Sequence, residues 1–203
     1  MIELYDYPKC PFCRKVRITL LEKRIKYRNN FVDLRKKEQR RPEFLKLNPL
    51  GKVPVLVHNS RAIYESTVIN EFLEESYPEP SLLPADIHNK AMVRILVEYS
   101  ERSFHTNVFN IYKELNFKEE SSRNQDKIRI NRNLVSKHLS YIDAILEGKD
   151  YLVGEFSLAD ISFMPRVLIF ESLGIEIKSK NHNLLRWIDN LKSRESSIII
   201  SQV

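Results

Sequence analysis

The chain has 203 residues, which is long enough for one large domain or two small ones whose cores need no disulfide or metal. Hydrophobic residues make up 42% of the sequence and charged residues 30%, as in an ordinary soluble globular protein. No apolar run approaches the roughly 18–20 residues of a membrane span, and Met1 leads directly into a strand-like segment. These features exclude a membrane-spanning protein, and we expect a cytoplasmic one.

The positive charge is concentrated near the start of the chain. The net charge is +6, and the segment 9–52 alone carries fifteen Lys or Arg against four acidic residues. Such an asymmetric field favours an anionic partner, although a run of basic residues is also typical of a solvated, solubilising face.

The first eighty residues alternate between strand and helix patterns. Segment 2–7 alternates apolar and polar side chains, and helical spacing follows Pro11, a residue that the first turn of a helix tolerates. The later patterns predict a strand at 27–34, a short helix at 42–47, a hairpin of 53–58 and 61–64 around a two-residue turn, and an amphipathic helix over 65–77. The initial strand–helix–strand order predicts a parallel pair with a right-handed crossover.

A proline-rich segment follows and separates two domains. Three prolines fall within 77–84, so neither a helix nor a strand continues there. We therefore predict an α/β domain at 1–77, a linker at 78–86 and an all-helical domain at 87–203.

Two patterns in the second domain predict local structure. Ser157 and Asp160 have the spacing of a capping box, and Gly174 supplies a helix stop. In the first helix of this domain, we expect four residues to form one apolar stripe: Met92, Ile95, Leu96 and Tyr99.

Both cysteines lie in the segment YPKCPFCRKVR, as Cys10 and Cys13. In a reducing compartment this spacing indicates redox or metal chemistry more than a structural disulfide, and the five scattered histidines argue against a metal. At a helix start, backbone N–H groups together with Lys9 and Arg14 would favour a Cys10 thiolate, and Cys13 could resolve a mixed disulfide. Alternatively, the two cysteines are small residues that pack well in the first turn.

The order of the motifs resembles the glutathione transferase superfamily over the whole chain: CxxC at the first helix, Val-Pro before a hairpin, Glu-Ser opening a helix, then an all-helical domain. This resemblance implies a thioredoxin-like first domain, a cis bond before Pro54, and a Val53 backbone that pairs with glutathione. Glu65 and Ser66, at a helix N-terminus, would receive a glutathione carboxylate, and Lys52 would contact an anionic group of the ligand.

One branch of the superfamily, the stringent starvation protein A family, resembles the chain more closely. The similar segments are YESTVINEFLEESYPEPSLLP and GEFSLADISFMPRVLIFESLGIEI. Members of that branch bind RNA polymerase holoenzyme, with its sigma factor, as dimers and regulate transcription in the bacterial stress response. Their polymerase-facing Pro-His-Pro falls on Pro78, Glu79 and Pro80. The resemblance therefore implies a regulator that acts by protein–protein recognition and meets DNA only through the polymerase.

Two other interpretations stay open. One is an enzyme, a glutathione-dependent thiol transferase or glutathione S-transferase with Cys10 as nucleophile. The other is a scaffolding dimer with neither activity. The resemblance implies a homodimer, or a heterodimer with a paralogue of the same fold, and Arg94 and Arg102 are candidates for polar contacts across it. A basic cleft at such an interface could hold an anionic nucleotide such as an alarmone.

Overall fold

A computed structural model describes residues 2–201 and shows two compact units. Of the described residues, the first unit comprises 2–82 and 196–201, and the second comprises 83–195. Within the described residues, no helix is both long and apolar enough to cross a membrane.

The first unit is built on a mixed four-stranded sheet. Its strands are β1 (Ile2–Asp6), β2 (Arg28–Phe31), β3 (Val55–His58) and β4 (Arg61–Tyr64), in the spatial order β2-β1-β3-β4. β1 and β2 are parallel, as the strand–helix–strand pattern predicts, and the other two pairs are antiparallel. The predicted fold class, an α/β domain followed by a helical domain, is confirmed.

Three helices of this unit follow the predicted pattern: α1 (Pro11–Glu22), α2 (Pro42–Leu47) and α3 (Ser66–Ser76). One layer of the core lies between the sheet and the helices α1 and α3, and it contains Leu4, Leu20, Leu56 and Leu73. A second buried cluster contains Val32, Phe44 and Val55. Because side chains alternate along a strand, β1 contributes to both clusters.

The hairpin between β3 and β4 has the turn that its sequence predicts. Asn59 and Ser60 both have positive φ angles, of 48° and 64°. Two left-handed residues make a turn whose twist matches that of the strands it joins. The turn pairs His58 with Arg61 and sets the register of the hairpin.

The end of the described chain packs with the first unit, whereas the sequence-based division assigns it to the helical domain. The helix α9 (Ile198–Ser201) contacts α1, and Ile199 and Ile200 are buried. The Ser196 hydroxyl also donates a 2.5 Å hydrogen bond to Glu22 of α1. A run of three isoleucines, 198–200, is too short to show a periodicity that would assign it to one core or the other, so the sequence does not predict this placement.

The second unit is helical, as predicted. Its helices are α4 (Ile87–Tyr99), α5 (His105–Asn116), α6 (Gln125–Ile145), α7 (Leu158–Val167) and α8 (His182–Ser193). A π-helical turn, Ser100–Phe104, joins α4 to α5 without interruption. The capping box of α7 is confirmed, and Gly174 adopts the left-handed conformation of a helix stop.

The apolar stripe predicted for α4 does not coincide with the face of the helix that is buried. Met92 and Ile95 are 39% and 57% exposed, while Val93, Leu96 and Val97 are the buried residues of this helix. Apolar residues occur on two adjacent faces of α4, so helical spacing alone does not decide which of the two faces the core.

Candidate active site

Cys10 lies between the end of β1 and the start of α1. Its backbone N–H donates to the Tyr7 carbonyl at 2.9 Å, which closes a tight turn, and its extended backbone makes it the N-cap residue of α1. Pro11 occupies the first helical position, where its missing N–H costs no helical hydrogen bond. The Cys10 side chain is partly exposed, whereas Cys13, one turn into the helix, is fully buried.

The surroundings of Cys10 favour its thiolate. The pKa of Cys10 is lowered, chiefly by a hydrogen bond from the Cys13 thiol and further by the backbone N–H groups of Cys13 and Phe12; burial and the charge of Asp6 oppose this shift. The sequence predicts the N–H groups correctly. It assigns the remaining effect to Lys9 and Arg14, but the largest contribution comes from Cys13, which we expected only as a resolving residue.

A fully buried carboxyl group, Asp6, lies behind the two cysteines. Burial raises its pKa, while Arg17 and a hydrogen bond from Cys13 lower it. Burial likewise raises the pKa of Cys13 well above its ordinary value. Our sequence analysis missed Asp6, although a signal was present: it follows Ile2 and Leu4 at two-residue spacing, on the inward face of β1.

The segments predicted to bind glutathione lie at the end of the sheet from which the Cys10 loop starts. Tyr5 of β1 pairs with Val55 of β3, so the segment just before β3 lies beside the end of β1 that leads to Cys10. The Val53–Pro54 bond in that segment is cis, as the resemblance implies.

The Glu65-Ser66 pair reaches the same end through β4. Val55 also pairs with Tyr64, the last residue of β4, and Glu65 follows directly with a φ angle of +69°. Ser66 is buried and begins α3. The backbone N–H groups in the first turn of α3 are therefore near this end of the sheet.

Two lysines differ in their relation to this end of the sheet. Lys52 is exposed, and its carbonyl accepts a 2.7 Å hydrogen bond from Asn48. Lys15, which our sequence analysis did not single out, is only 1% exposed, and its ammonium group donates at 2.9 Å to Thr67 in the first turn of α3. This contact fixes the start of α3 against α1.

The segment predicted to contact polymerase, 78–80, is exposed but anchored at both ends. The Lys23 ammonium group donates to the carbonyls of Tyr77 and Pro80 at 2.7 and 2.9 Å and pairs with Glu74 at 2.6 Å. Glu74 in turn accepts from the Leu82 backbone N–H. The side chains of Pro78, Glu79 and Pro80 are thus exposed on a segment whose backbone is anchored by the buried Lys23.

Arg94 and Arg102 belong to the second unit, and Cys10 belongs to the first. Both arginines are exposed, and Arg102 forms a 2.5 Å ion pair with Glu98 one turn earlier. Arg102 therefore has an intrahelical partner with which any contact across a dimer would compete.

Comparisons with known proteins agree with this architecture. Residues 4–81 match the glutathione S-transferase N-terminal domain family, and residues 87–195 match the glutathione S-transferase C-terminal domain family. Glutathione S-transferase 1 of Dianthus caryophyllus is 34% identical over 173 residues, covering 82% of this chain and 76% of the relative. A zeta-class glutathione S-transferase of Euphorbia esula is also 34% identical, over 82% of this chain and 74% of the relative.

Among solved structures, a glutathione S-transferase from Rhodospirillum rubrum F11 has a TM-score of 0.88 and 31% identity. The match covers 100% of this chain and 93% of that one. With both domains matched and relatives at this identity over most of its length, the chain belongs to the glutathione S-transferase superfamily.

Proposed function

We propose that this protein is a glutathione-dependent thiol transferase in which Cys10 is the nucleophile. The observation that carries the proposal is the partly exposed Cys10 thiol at the start of α1, with a pKa lowered by the Cys13 thiol and by backbone N–H groups. A thiolate is the attacking species in thiol–disulfide exchange, so a lowered pKa increases the reactive fraction at neutral pH. The names of the relatives, glutathione S-transferases, support glutathione as the co-substrate.

The reaction would be an exchange of disulfide partners. The Cys10 thiolate attacks the glutathione sulfur of a mixed disulfide, forms a Cys10–glutathione disulfide and releases the other thiol as its thiolate. A second glutathione thiolate then attacks the glutathione sulfur on Cys10. This step yields oxidised glutathione and restores the Cys10 thiolate, so no other reductant is needed.

Glutathione would be held at the end of the sheet where the Cys10 loop lies. The backbone of Val53, oriented by the turn at Pro54, would pair with the peptide as an additional strand does. Glu65 and Ser66, with the N–H groups of the first turn of α3, would bind a carboxylate. Lys52 is the exposed cation nearest in sequence to this segment and would attract the anionic ligand.

The test is reduction of a small glutathione mixed disulfide, coupled to glutathione reductase. We expect wild type and Cys13→Ser to turn over this substrate and Cys10→Ser to show only the uncatalysed rate. Cys13→Ser is the matched control because it removes one thiol from the same helix turn and leaves the nucleophile in place. Equal activity in Cys10→Ser and wild type would refute the proposal.

A second candidate function is a regulator of the stringent starvation type bound to RNA polymerase holoenzyme. The exposed segment 78–80 favours it, because Lys23 anchors the carbonyls of Tyr77 and Pro80 and an anchored segment loses less ordering entropy on binding. Pro78, Glu79 and Pro80 would make the contact. The relatives named as transferases favour the enzyme, so we place the regulator second.

Co-elution with RNA polymerase holoenzyme on size exclusion, at near-physiological and at higher salt, tests this candidate. Retention of the complex in wild type and its loss in Glu79→Ala would support the regulator. Glu75→Ala, an exposed glutamate on the last turn of α3, is the matched control. A wild-type chain that never co-elutes would count against it.

We also propose that the chain pairs through α4, with a second copy or with a paralogue. Met92 and Ile95 are 39% and 57% exposed and lie three residues apart on α4, so two large apolar side chains are exposed side by side on one face of the helix. Light scattering of Ile95→Glu should then show a monomer, and Ile130→Glu, at an isoleucine on α6 that is 51% exposed, should leave the assembly unchanged. A wild-type monomer would exclude the homodimer.

A further inference from the structure

Folding removes part of the positive charge of segment 9–52 from the surface. Arg14, Lys15 and Lys23 are 7%, 1% and 4% exposed. The largest group of exposed basic residues that remains lies in 33–52, which has seven Lys or Arg against three acidic residues. We call 33–52 the basic segment. All seven of its cations are exposed: Arg35, Lys36, Lys37, Arg40, Arg41, Lys46 and Lys52.

Two of the three acidic side chains are bound within the basic segment itself. The Asp33 carboxylate accepts from the Arg35 backbone N–H at 2.9 Å and lies 3.3 Å from the Arg35 side chain. Glu38 accepts from the Asp33 backbone N–H at 2.8 Å and pairs with Arg41 at 3.1 Å. These contacts fold the segment and neutralise only Arg35 and Arg41.

The other cations keep an uncompensated charge. Arg40 donates to the Leu50 carbonyl at 3.4 Å, a neutral acceptor. Among residues 2–201, no acidic partner pairs with any of the four lysines, Lys36, Lys37, Lys46 and Lys52. Glu43 is the third acidic residue and is exposed in the first turn of α2. The surface of the basic segment therefore carries a net positive field, which concentrates anions near it.

The basic segment lies at the same end of the sheet as the Cys10 loop. The Val32 backbone N–H donates to the Asp6 carbonyl at 2.8 Å, so the chain enters the segment beside the last residue of β1. Phe44 of α2 packs in one cluster with Val32 and with Val55, the first residue of β3. The segment thus leaves and rejoins the sheet at the end where the reactive thiol is found.

Glutathione alone does not account for this many cations. A tripeptide spans at most about 10 Å, and the proposed cradle already provides Lys52 and the start of α3 for its carboxylates. The helix α2 by itself is about 9 Å long, and the loop 35–37 and the helical turn Glu38–Arg40 precede it. The charged surface therefore extends beyond the reach of glutathione and fits a larger anionic partner.

We propose that the substrate is a protein whose glutathionylated cysteine lies among acidic residues, and that the basic segment binds this acidic surface. The inference rests on the proposed thiol-transferase function and names its substrate class. The Cys10 thiolate attacks the glutathione sulfur of the protein mixed disulfide, and the protein cysteine leaves as its thiolate. A second glutathione thiolate then attacks the glutathione sulfur on Cys10, which forms oxidised glutathione and restores Cys10.

The position of the charge favours a protein over a nucleic acid. Both are polyanions, but only a protein carries the cysteine whose disulfide Cys10 would attack. Complementary charge around a reactive group raises the rate of productive encounter and fixes the orientation of the partner. A basic surface beside the thiol would act on the acidic protein in this way.

Glutathionylated peptides of equal length test the proposal on the full chain. Each peptide carries one glutathionylated cysteine flanked by Glu, by Gln or by Lys, and its reduction is coupled to glutathione reductase. At low ionic strength, we expect the kcat/KM of the wild type to be at least about 10-fold higher for the Glu peptide than for the Gln peptide, the lower end of the range for electrostatic steering. The Lys peptide should be the poorest substrate. The preference should fall as salt exceeds about 0.1 M, where the Debye length is about 10 Å.

Two charge-reversal variants locate the effect. Lys36→Glu/Lys46→Glu should abolish or invert the preference for the Glu peptide over the Gln peptide. The matched control is Lys26→Glu/Arg61→Glu, which changes the net charge equally at exposed positions. Lys26 precedes β2, and Arg61 pairs with His58 at the hairpin turn, so both lie at the opposite end of the sheet. The control should keep the wild-type preference.

A folding defect is separated from the effect by comparing the two peptides within each variant. Turnover of the Gln peptide shows that a variant is folded, and the ratio of the two kcat/KM values then reports charge recognition. Lys36→Gln/Lys46→Gln removes the same charges without reversing them and should give an intermediate ratio. The salt dependence of the wild type provides a measurement that requires no variant.

Several results would overturn the proposal. Equal kcat/KM for the three peptides in the wild type would leave the basic segment as a solvated face. An unchanged ratio in Lys36→Glu/Lys46→Glu, or an equal loss in the control, would exclude this surface. Tighter binding of a mixed-sequence single-stranded DNA oligonucleotide than of the Glu peptide would assign the surface to nucleic acid. Turnover of a small neutral glutathione mixed disulfide but of no peptide would overturn only the protein substrate, whereas no turnover of either would overturn the transferase function itself.

Discussion

Asp160 is expected to stabilise the second unit as a hub and not only as a helix cap. Its Oδ1 atom accepts from the Leu152 backbone N–H at 3.0 Å and from the indole of Trp187 at 2.8 Å. Its Oδ2 atom accepts from the backbone N–H and the hydroxyl of Ser157, at 2.9 and 3.0 Å. All these groups are buried. The carboxylate therefore joins the start of α7 to α8 and to the segment before α7.

The substitution Asp160→Asn keeps the hydrogen bonds at one oxygen of this carboxylate and removes those at the other. The amide oxygen can still accept from Leu152 and Trp187, but the amide NH₂ faces two donors of Ser157. Each buried donor left without an acceptor costs about 1–3 kcal/mol, so two of them cost about 2–6 kcal/mol. Burial raises the pKa of Asp160, and removing a buried charge recovers part of this cost, so we expect the lower half of that range.

The single tryptophan makes the measurement local. Trp187 is fully buried in the second unit and bonds Asp160, so its fluorescence in a urea titration follows unfolding of this unit. Ser157→Ala removes the hydroxyl that caps α7 and donates to Asp160, leaves the other three hydrogen bonds of Asp160 in place, and should cost about 1 kcal/mol. The control is Asp189→Asn, the same change at an exposed position of α8, which should leave the midpoint unchanged. A loss in Asp160→Asn no larger than in Ser157→Ala would refute the hub.

Three further predictions follow from buried or strongly bonded charges. Lys23→Met should destabilise the protein by about 3–5 kcal/mol in urea titrations followed by circular dichroism, because it leaves the buried Glu74 carboxylate without its ion-pair partner. The control is Lys26→Met at an exposed position, and an equal loss of stability in the two variants would contradict this prediction. Lys118, Lys127 and a backbone N–H lower the pKa of Glu114 from 4.5 to about 2, so its contribution is present above pH 4.5 and lost as pH falls towards 2. Glu114→Gln should therefore be less stable than wild type at pH 7 and equally stable near pH 2, and a gap independent of pH would refute the assignment. Cys13→Ala removes the main cause of the lowered pKa of Cys10, so the pH midpoint of Cys10 alkylation by iodoacetamide should rise, and an unchanged midpoint would count against that hydrogen bond.

The two candidate functions use different parts of the first unit. Transfer chemistry would take place at the Cys10 end of the sheet, and polymerase recognition would use the segment 78–80. The variants Cys10→Ser and Glu79→Ala can therefore be combined, and a chain that performs both functions would lose each one separately. Such independence is expected when the altered sites share no partners.

Local patterns in the sequence determine most of the elements that position the site. The alternation in segment 2–7 predicts β1, Asn59-Ser60 predicts the turn of the hairpin, and Ser157 with Asp160 predicts the start of α7. Each of these features depends on residues within a few positions of one another. Turn and cap geometry follow from the chemistry of those residues, so the sequence alone is sufficient.

Only the tertiary structure decides which residues from distant parts of the chain contact these local elements. Lys23 donates to the carbonyl of Tyr77, 54 positions away in the sequence. Asp6, a residue of β1, interacts with Arg17 of α1. The buried face of α4 is also a tertiary outcome, since Ile95 had the spacing of a core residue and is exposed. Burial and pairing depend on which surfaces meet in the folded chain. The spacing of apolar residues in the sequence shows only which residues share a face of a helix or strand, not whether that face is buried.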